Sequence, residues 1–179
     1  MIIITNDTKK AKFFTSGGRF NLSEIFSTVI LEQIYDEITL CRGNLPEKLK
    51  STDIVYGYCL RAADDSPLKR FDAYSTNGAN KCRDKNGIPY SSVGLIWEEL
   101  GKDFMSSLPA WEYVDEYILE KIDGHSTGYF SALDYPELQI LLKTCTSEED
   151  DSDDAFLRAV ESAKNFMKQV IENAYSQTN

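Results

Sequence analysis

Between residues 11 and 59 the sequence runs strand, glycine turn, helix, strand and strand, and this order restricts the fold more than any other feature of the chain. An apolar run at 11–15 is centred on Phe13-Phe14 and broken by Ser16-Gly17-Gly18. Asn21 or Ser23 then caps a helix reaching about Tyr35. Its Leu22, Ile25, Phe26, Val29, Ile30 and Ile34 form a broad apolar stripe at helical spacing. Strands follow at 37–41 and 53–59, and a short one precedes at 2–5. Strand, crossover helix, strand is the rhythm of parallel pairing. The pattern therefore predicts an α/β fold: a mostly parallel sheet flanked by helices, with the first helix leading from strand 11–15 to a neighbouring parallel strand.

Turn signals at Asp64-Asp65-Ser66-Pro67, Asn77-Gly78 and Asn86-Gly87 leave room for one short strand at 69–74. Helical patterning resumes at 91–104 with Val93, Ile96, Trp97 and Leu100. Pro109 opens another helix, with a seam of Trp111, Val114, Ile118 and Ile122 that ends by 123–128. A less regular stretch leads to 148–154, where six of seven residues are acidic. Such a run reads as a solvated loop, and Asp153 or Asp154 also suits the positive N-terminus of the helix that follows. That closing helix, 155–175, sets Phe156, Val160, Ala163, Met167, Val170 and Ala174 on one face. With 179 residues, no internal repeat and no low-complexity linker, residues 1–179 read as a single domain.

Charge narrows the functional classes. The formal net charge is −10, from 19 Lys plus Arg against 29 Asp plus Glu, which argues against broad non-specific nucleic-acid binding. No apolar run approaches the ~18 residues of a membrane span, and the chain is expected to be cytoplasmic. Cys41, Cys59, Cys82 and Cys145 form no C-x-x-C pair. His125 is the lone histidine, so a metal site here would need oxygen ligands. Gly17-Gly18 before a helix start invites an anion or small nucleotide, but the chain lacks both G-x-x-x-x-G-K-[ST] and G-x-G-x-x-G. Asp53, Asp72 and Asp123 lie at expected element ends, and spacing alone does not choose among them.

Five stretches, in order, carry a resemblance. They are Thr15-Ser16-Gly17-Gly18-Arg19-Phe20-Asn21-Leu22-Ser23-Glu24, against T-H-N-G-x-F-H-x-D-E; Asp53-Ile54-Val55-Tyr56-Gly57-Tyr58-Cys59, against D-I-V-x-D-V-G; Arg70-Phe71-Asp72-Ala73-Tyr74-Ser75, against R-F-D-H-H-Q; Tyr90-Ser91-Ser92-Val93-Gly94-Leu95-Ile96-Trp97, against L-S-S-A-G-L-V-W; and Ile122-Asp123-Gly124-His125-Ser126-Thr127-Gly128, against I-D-x-x-D-N-G. The chain thus resembles the N-terminal domain of the melanocyte-proliferating-gene exonuclease family, metal-dependent hydrolases of the DHH phosphoesterase superfamily. The resemblance implies a DHH-phosphoesterase-like fold and, in the family, manganese held by the histidines and aspartates of these motifs to activate water against a phosphodiester.

The departures shape the expected function. The family's ligand positions are filled here by Ser16, Asn21, Ser23, Gly57, Ala73 and Tyr74, which leaves Asp72 and Asp123 as residual metal ligands. The further domain that clamps substrate in the family is also absent from these 179 residues. The leading expectation is a degenerate, non-catalytic protein with no cofactor. It would bind a protein partner with a basic surface through Asp64, Asp65, Glu148, Glu149, Asp150 and Asp151, as an inhibitor or accessory subunit of a nucleic-acid-handling complex. One alternative is a manganese-dependent phosphodiesterase or 3'-5' exonuclease with a reduced site at Asp72 and Asp123, helped by Asp53, Asn21 or His125. Another is a small-nucleotide binder using Gly17, Gly18, Asn21 and His125.

Overall fold

In a computed structural model, which describes residues 1–57, 69–71, 81–145 and 151–178, the apolar runs form a five-stranded sheet in which every pair is parallel. The strands are β1 (Ile2–Ile4), β2 (Phe13–Thr15), β3 (Ile38–Arg42), β4 (Ile54–Tyr56) and β5 (Lys69–Phe71), in the spatial order β1-β3-β2-β4-β5. Helix α1 (Leu22–Tyr35) joins β2 to its parallel neighbour β3, as the sequence pattern predicts. The end of the expected strand at 53–59 and of that at 69–74 lies outside the described residues.

A parallel sheet buries both faces. Phe13, Ile38, Leu40, Ile54, Tyr56 and Phe71 join the helices in the main core. Their alternates Phe14, Cys41 and Val55 form a smaller cluster with Ala11 on the other face, packed against Leu45 and Leu49. Helix α1 is buried from Leu22 to Glu32 because α2, α5, α7 and β3 all pack on it.

The helical run expected from 91 is α2 (Ser92–Ile96), a π-helical turn (Trp97–Gly101) and α3 (Lys102–Phe104). The run opened by Pro109 is α4 (Leu108–Val114), a second π-helical turn (Asp115–Leu119) and α5 (Glu120–Ser126). Two tryptophans lock the runs together. Trp97 and Trp111 stack nearly parallel at 6.4 Å, and each indole N–H donates to the other's carbonyl oxygen, at 3.3 and 3.2 Å. The stretch expected to be irregular contains α6 (Pro136–Cys145). Among its described residues a narrow stripe, Leu138 and Leu141, is buried in the core with Leu142 partly so, while Ile140 is 65% exposed and blurs the periodicity in the sequence. Helix α7 (Asp153–Thr178) buries the expected stripe, with Ala159 added, against α1, α4 and α6.

The topology fixes where a site belongs. The chain leaves β2 towards β3 on one side, and leaves β4 towards β5 on the other. The carboxyl ends of adjacent β2 and β4 therefore flank a crevice, the usual position for ligands in open α/β sheets. Across that end, Phe156 of α7 sits edge-on to Phe20 at 5.4 Å and stacks on the Arg42 guanidinium at 4.4 Å. Phe156→Ala is expected to lower unfolding free energy by roughly 3–5 kcal/mol in urea denaturation, as the deletion of a wholly buried ring does.

Candidate functional site

The crevice is built from the last residues of β2 and the first turn of α1. Asn21 caps α1: its Oδ1 accepts the Glu24 N–H at 3.0 Å, and Glu24 Oε2 accepts the Asn21 N–H at 3.2 Å. This reciprocal capping box turns the Glu24 carboxylate back towards the strand ends. There Oε1 accepts from Thr15 Oγ1 at 3.1 Å and from Ser16 Oγ. Glu24 is 1% exposed. Burial pushes its carboxyl up to about 7, against the opposing effects of the Thr15 and Asn21 hydrogen bonds and of the Arg42 charge.

Gly57, the residue after β4, closes the far side. Its φ is +74°, and a Cβ there would stand 2.7 Å from Glu24 Oε1, so a side chain at 57 and the buried Glu24 exclude one another. The Gly57 N–H donates to Ser92 Oγ at 2.9 Å, linking β4 to α2.

A second carboxylate lies behind this layer. Ser23 Oγ is 2.8 Å from Ser91 Oγ, and Ser91 Oγ donates in turn to Asp123 Oδ1. Asp123 Oδ1 also accepts the Ser91 and Gly94 N–H groups at 2.9 and 3.2 Å, so this carboxylate caps α2 as a bound anion would. The fit is tight: a Cβ on Gly94 would stand 1.9 Å from Asp123 Oδ2. That Oδ2 lies 2.8 Å from Arg83 Nη1. Arg83 forks onto Asp115, with Nε–Oδ2 at 3.0 Å and Nη2–Oδ1 at 2.5 Å. Asp123 has no exposed surface, and burial raises it to about 6 despite Arg83 and Ser91.

Described positions from four of the five sequence stretches thus converge: Ser16, Asn21, Glu24 and Gly57 share one layer, and Ser23 reaches Asp123 through Ser91. A family model described as Uncharacterised protein family (UPF0160), the MYG1 exonuclease family, matches residues 12–179. The chain belongs to this family. No curated protein and no solved structure matches it.

The other expected site residues are placed as follows. Gly17 packs against the backbone of Gly43, and the Gly18 carbonyl accepts from Arg42 Nη2 at 2.8 Å, so the glycine turn is tied to the end of β3. His125 is half-buried on α5 two residues beyond Asp123, about 200° around the helix from it. Asp53 precedes β4, at the opposite edge of the sheet from the crevice, where its Oδ2 accepts the Lys50 N–H at 2.7 Å. Asp151 is exposed, close to Gly18. Asp72, Asp64, Asp65, Glu148, Glu149 and Asp150 lie outside the described residues.

The described donors of this MYG1-family chain do not fit manganese. Asp123 Oδ1 is filled by two backbone N–H groups and a hydroxyl, its Oδ2 is held in an ion pair by the Arg83 guanidinium, and Glu24 is filled by two hydroxyls and an N–H. Among the described residues no three His, Cys, Asp or Glu side chains are grouped to hold a metal ion. A hard divalent cation needs several oxygen ligands free of such partners.

Two residues of the site had different visibility in the sequence. Glu24 stood in plain view as the fourth residue of an Asn-x-x-Glu capping box. Arg83 stands alone in a turn-rich stretch that carries no signal for it.

Both carboxyls sit above their ordinary values of 4.5 and 3.8, so the folded state favours their protonated forms. Their contribution to stability is complete below about pH 4 and is lost as pH rises through about 6 for Asp123 and about 7 for Glu24. Glu24→Gln removes one of these titrations. Urea denaturation of wild type and variant at pH 4 and pH 8 is expected to show the variant gaining on wild type at the higher pH, by on the order of 3 kcal/mol.

Proposed function

We propose that this chain is a non-catalytic member of the MYG1 exonuclease family that acts by binding a macromolecular partner, as an inhibitor or accessory subunit of a nucleic-acid-handling complex. The observation that carries the reading is the filling of Asp123. A carboxylate that is to ligate a metal or activate water must offer a lone pair to the crevice, and this one faces Ser91, Gly94 and Arg83 instead. The crevice-side positions Ser16, Asn21 and Gly57 supply neutral groups to the Glu24 network.

The partner class follows from charge. A protein with a net charge of −10 attracts a basic surface, and a run of carboxylates before α7 offers it a concentrated contact. In this reading Glu148, Glu149, Asp150 and Asp151 make that contact together with Asp64 and Asp65, while the exposed Asp153 is engaged within the chain, 2.7 Å from Arg42 Nη1.

Two experiments test the proposal. Incubated with manganese and 3'-labelled short RNA or DNA, the purified protein is expected to leave the strands intact; cleavage that Asp72→Asn abolishes would overturn the non-catalytic reading. For the binding surface, the partner recovered by native mass measurement is titrated against wild type and a variant with Glu148, Glu149, Asp150 and Asp151 replaced by Ser and Asn. The variant should melt as wild type does yet bind far more weakly, and wild-type association should slow as salt rises. Equal affinity of the two proteins across the salt series would rule this surface out.

A further inference from the structure

We infer that Arg83 is a built-in counter-cation: it supplies from the chain itself the positive charge that buried Asp123 requires, and so keeps divalent cations off that carboxylate. The inference deepens the non-catalytic reading and rests on it.

The geometry leaves Asp123 one open side, and Arg83 fills it. Oδ1 is taken by Ser91 and Gly94. Oδ2 is pressed against the Cα of Gly94, with no room for even a methyl group between them, and meets Arg83 Nη1 at 2.8 Å. Neither partner reaches solvent, at 0% and 2% exposure. A lone buried carboxylate is costly, so a cation is required there, and the weakly hydrated guanidinium is the side-chain cation best suited to burial.

Arg83 is also held in place. Asp115 grips its fork from the second π-helical turn, and Tyr90 lies over the guanidinium at 4.4 Å. Its own backbone is fixed in a tight turn: Arg83 N–H donates to the Ile88 carbonyl at 2.9 Å, and the Arg83 carbonyl accepts the Gly87 N–H at 2.8 Å. A divalent cation that ligated Asp123 would have to displace a charge pinned on three sides.

The test uses amide NMR spectra of the full chain with manganese chloride, whose paramagnetism erases the signals of nearby N–H groups. In the wild type the Ser91 and Gly94 amides should keep their intensity when manganese is added. Selective loss of these two signals would overturn the inference. Arg83→Met should open the carboxylate, and manganese should then erase both signals; a folded Arg83→Met that keeps them would also overturn it. Should Arg83→Met fail to fold, the triple variant Arg83→Met/Asp115→Asn/Asp123→Asn decides. Removing all three charges restores a dispersed spectrum if Arg83 acts by compensating its aspartates, and leaves the chain unfolded if it acts only by filling space. The strand-cleavage assay keeps the two ideas apart. Manganese at Asp123 without cleavage removes the role of Arg83 and leaves the non-catalytic reading, whereas cleavage with both amides intact does the reverse.

Discussion

Asp123 carries its carboxylate into a place where water does not reach, and the surrounding elements are arranged to make that tolerable. Burying an ion costs several kcal/mol unless every lone pair finds a donor and the charge finds a partner. Here the first turn of α2 provides N–H groups, Ser91 a hydroxyl and Arg83 the opposite charge. Each donor is held in turn. Arg83 needs Asp115, which ties the second π-helical turn to the network, and Ser91 touches Ser23, which ties it to α1. One buried charge thereby sets the relative positions of α1, α2, α5 and the segment around Arg83.

Glu24 performs a similar task one layer nearer the strand ends, with a different solution. Burial raises its proton affinity as it does that of Asp123, but hydroxyls and a backbone N–H, rather than a paired guanidinium, satisfy its oxygens. The two layers explain why small and neutral residues occupy the strand ends. Gly57 is required by the bulk of Glu24, and Gly94 by that of Asp123. Ser16, Ser23, Ser91 and Ser92 are short enough to donate or accept within so tight a space. In such a network a charged replacement at one position disturbs every neighbour, because partly satisfied polar groups are expensive in low dielectric.

The legibility of this arrangement in the sequence differed between its parts for physical reasons. The parallel sheet and its crossover helix were readable because β2 and β3 are short, nearly continuous buried runs and α1 between them keeps apolar residues at helical spacing. Helix α6 was not, because it buries too narrow a stripe and exposes Ile140. Asp53 and Asp123 both looked like element ends, yet an element end does not say which edge of the sheet it occupies; pairing places Asp53 at the amino edge. Glu24 was legible as a helix cap, but its approach to Gly57 depends on the packing of β4 beside β2. Arg83 left no trace, since an ion pair across 32 to 40 residues has no local pattern.

The same accounting bears on which ligands the crevice can attract. A phosphodiester is drawn to metal ions, exposed guanidinium groups or open helix N-termini. The N-terminus of α2 already holds Asp123, and that of α1 is closed by its own capping box. Arg42 and Arg83 are both buried and committed, the first to Asp153 and the Gly18 carbonyl, the second to two aspartates. Arg83 with Asp115 and Asp123 makes a group of net charge −1, so the described site repels an approaching phosphate at longer range. With Arg42 and Arg83 both turned inward, and 29 Asp plus Glu against 19 Lys plus Arg along the chain, long-range attraction favours a cationic surface over an anionic one.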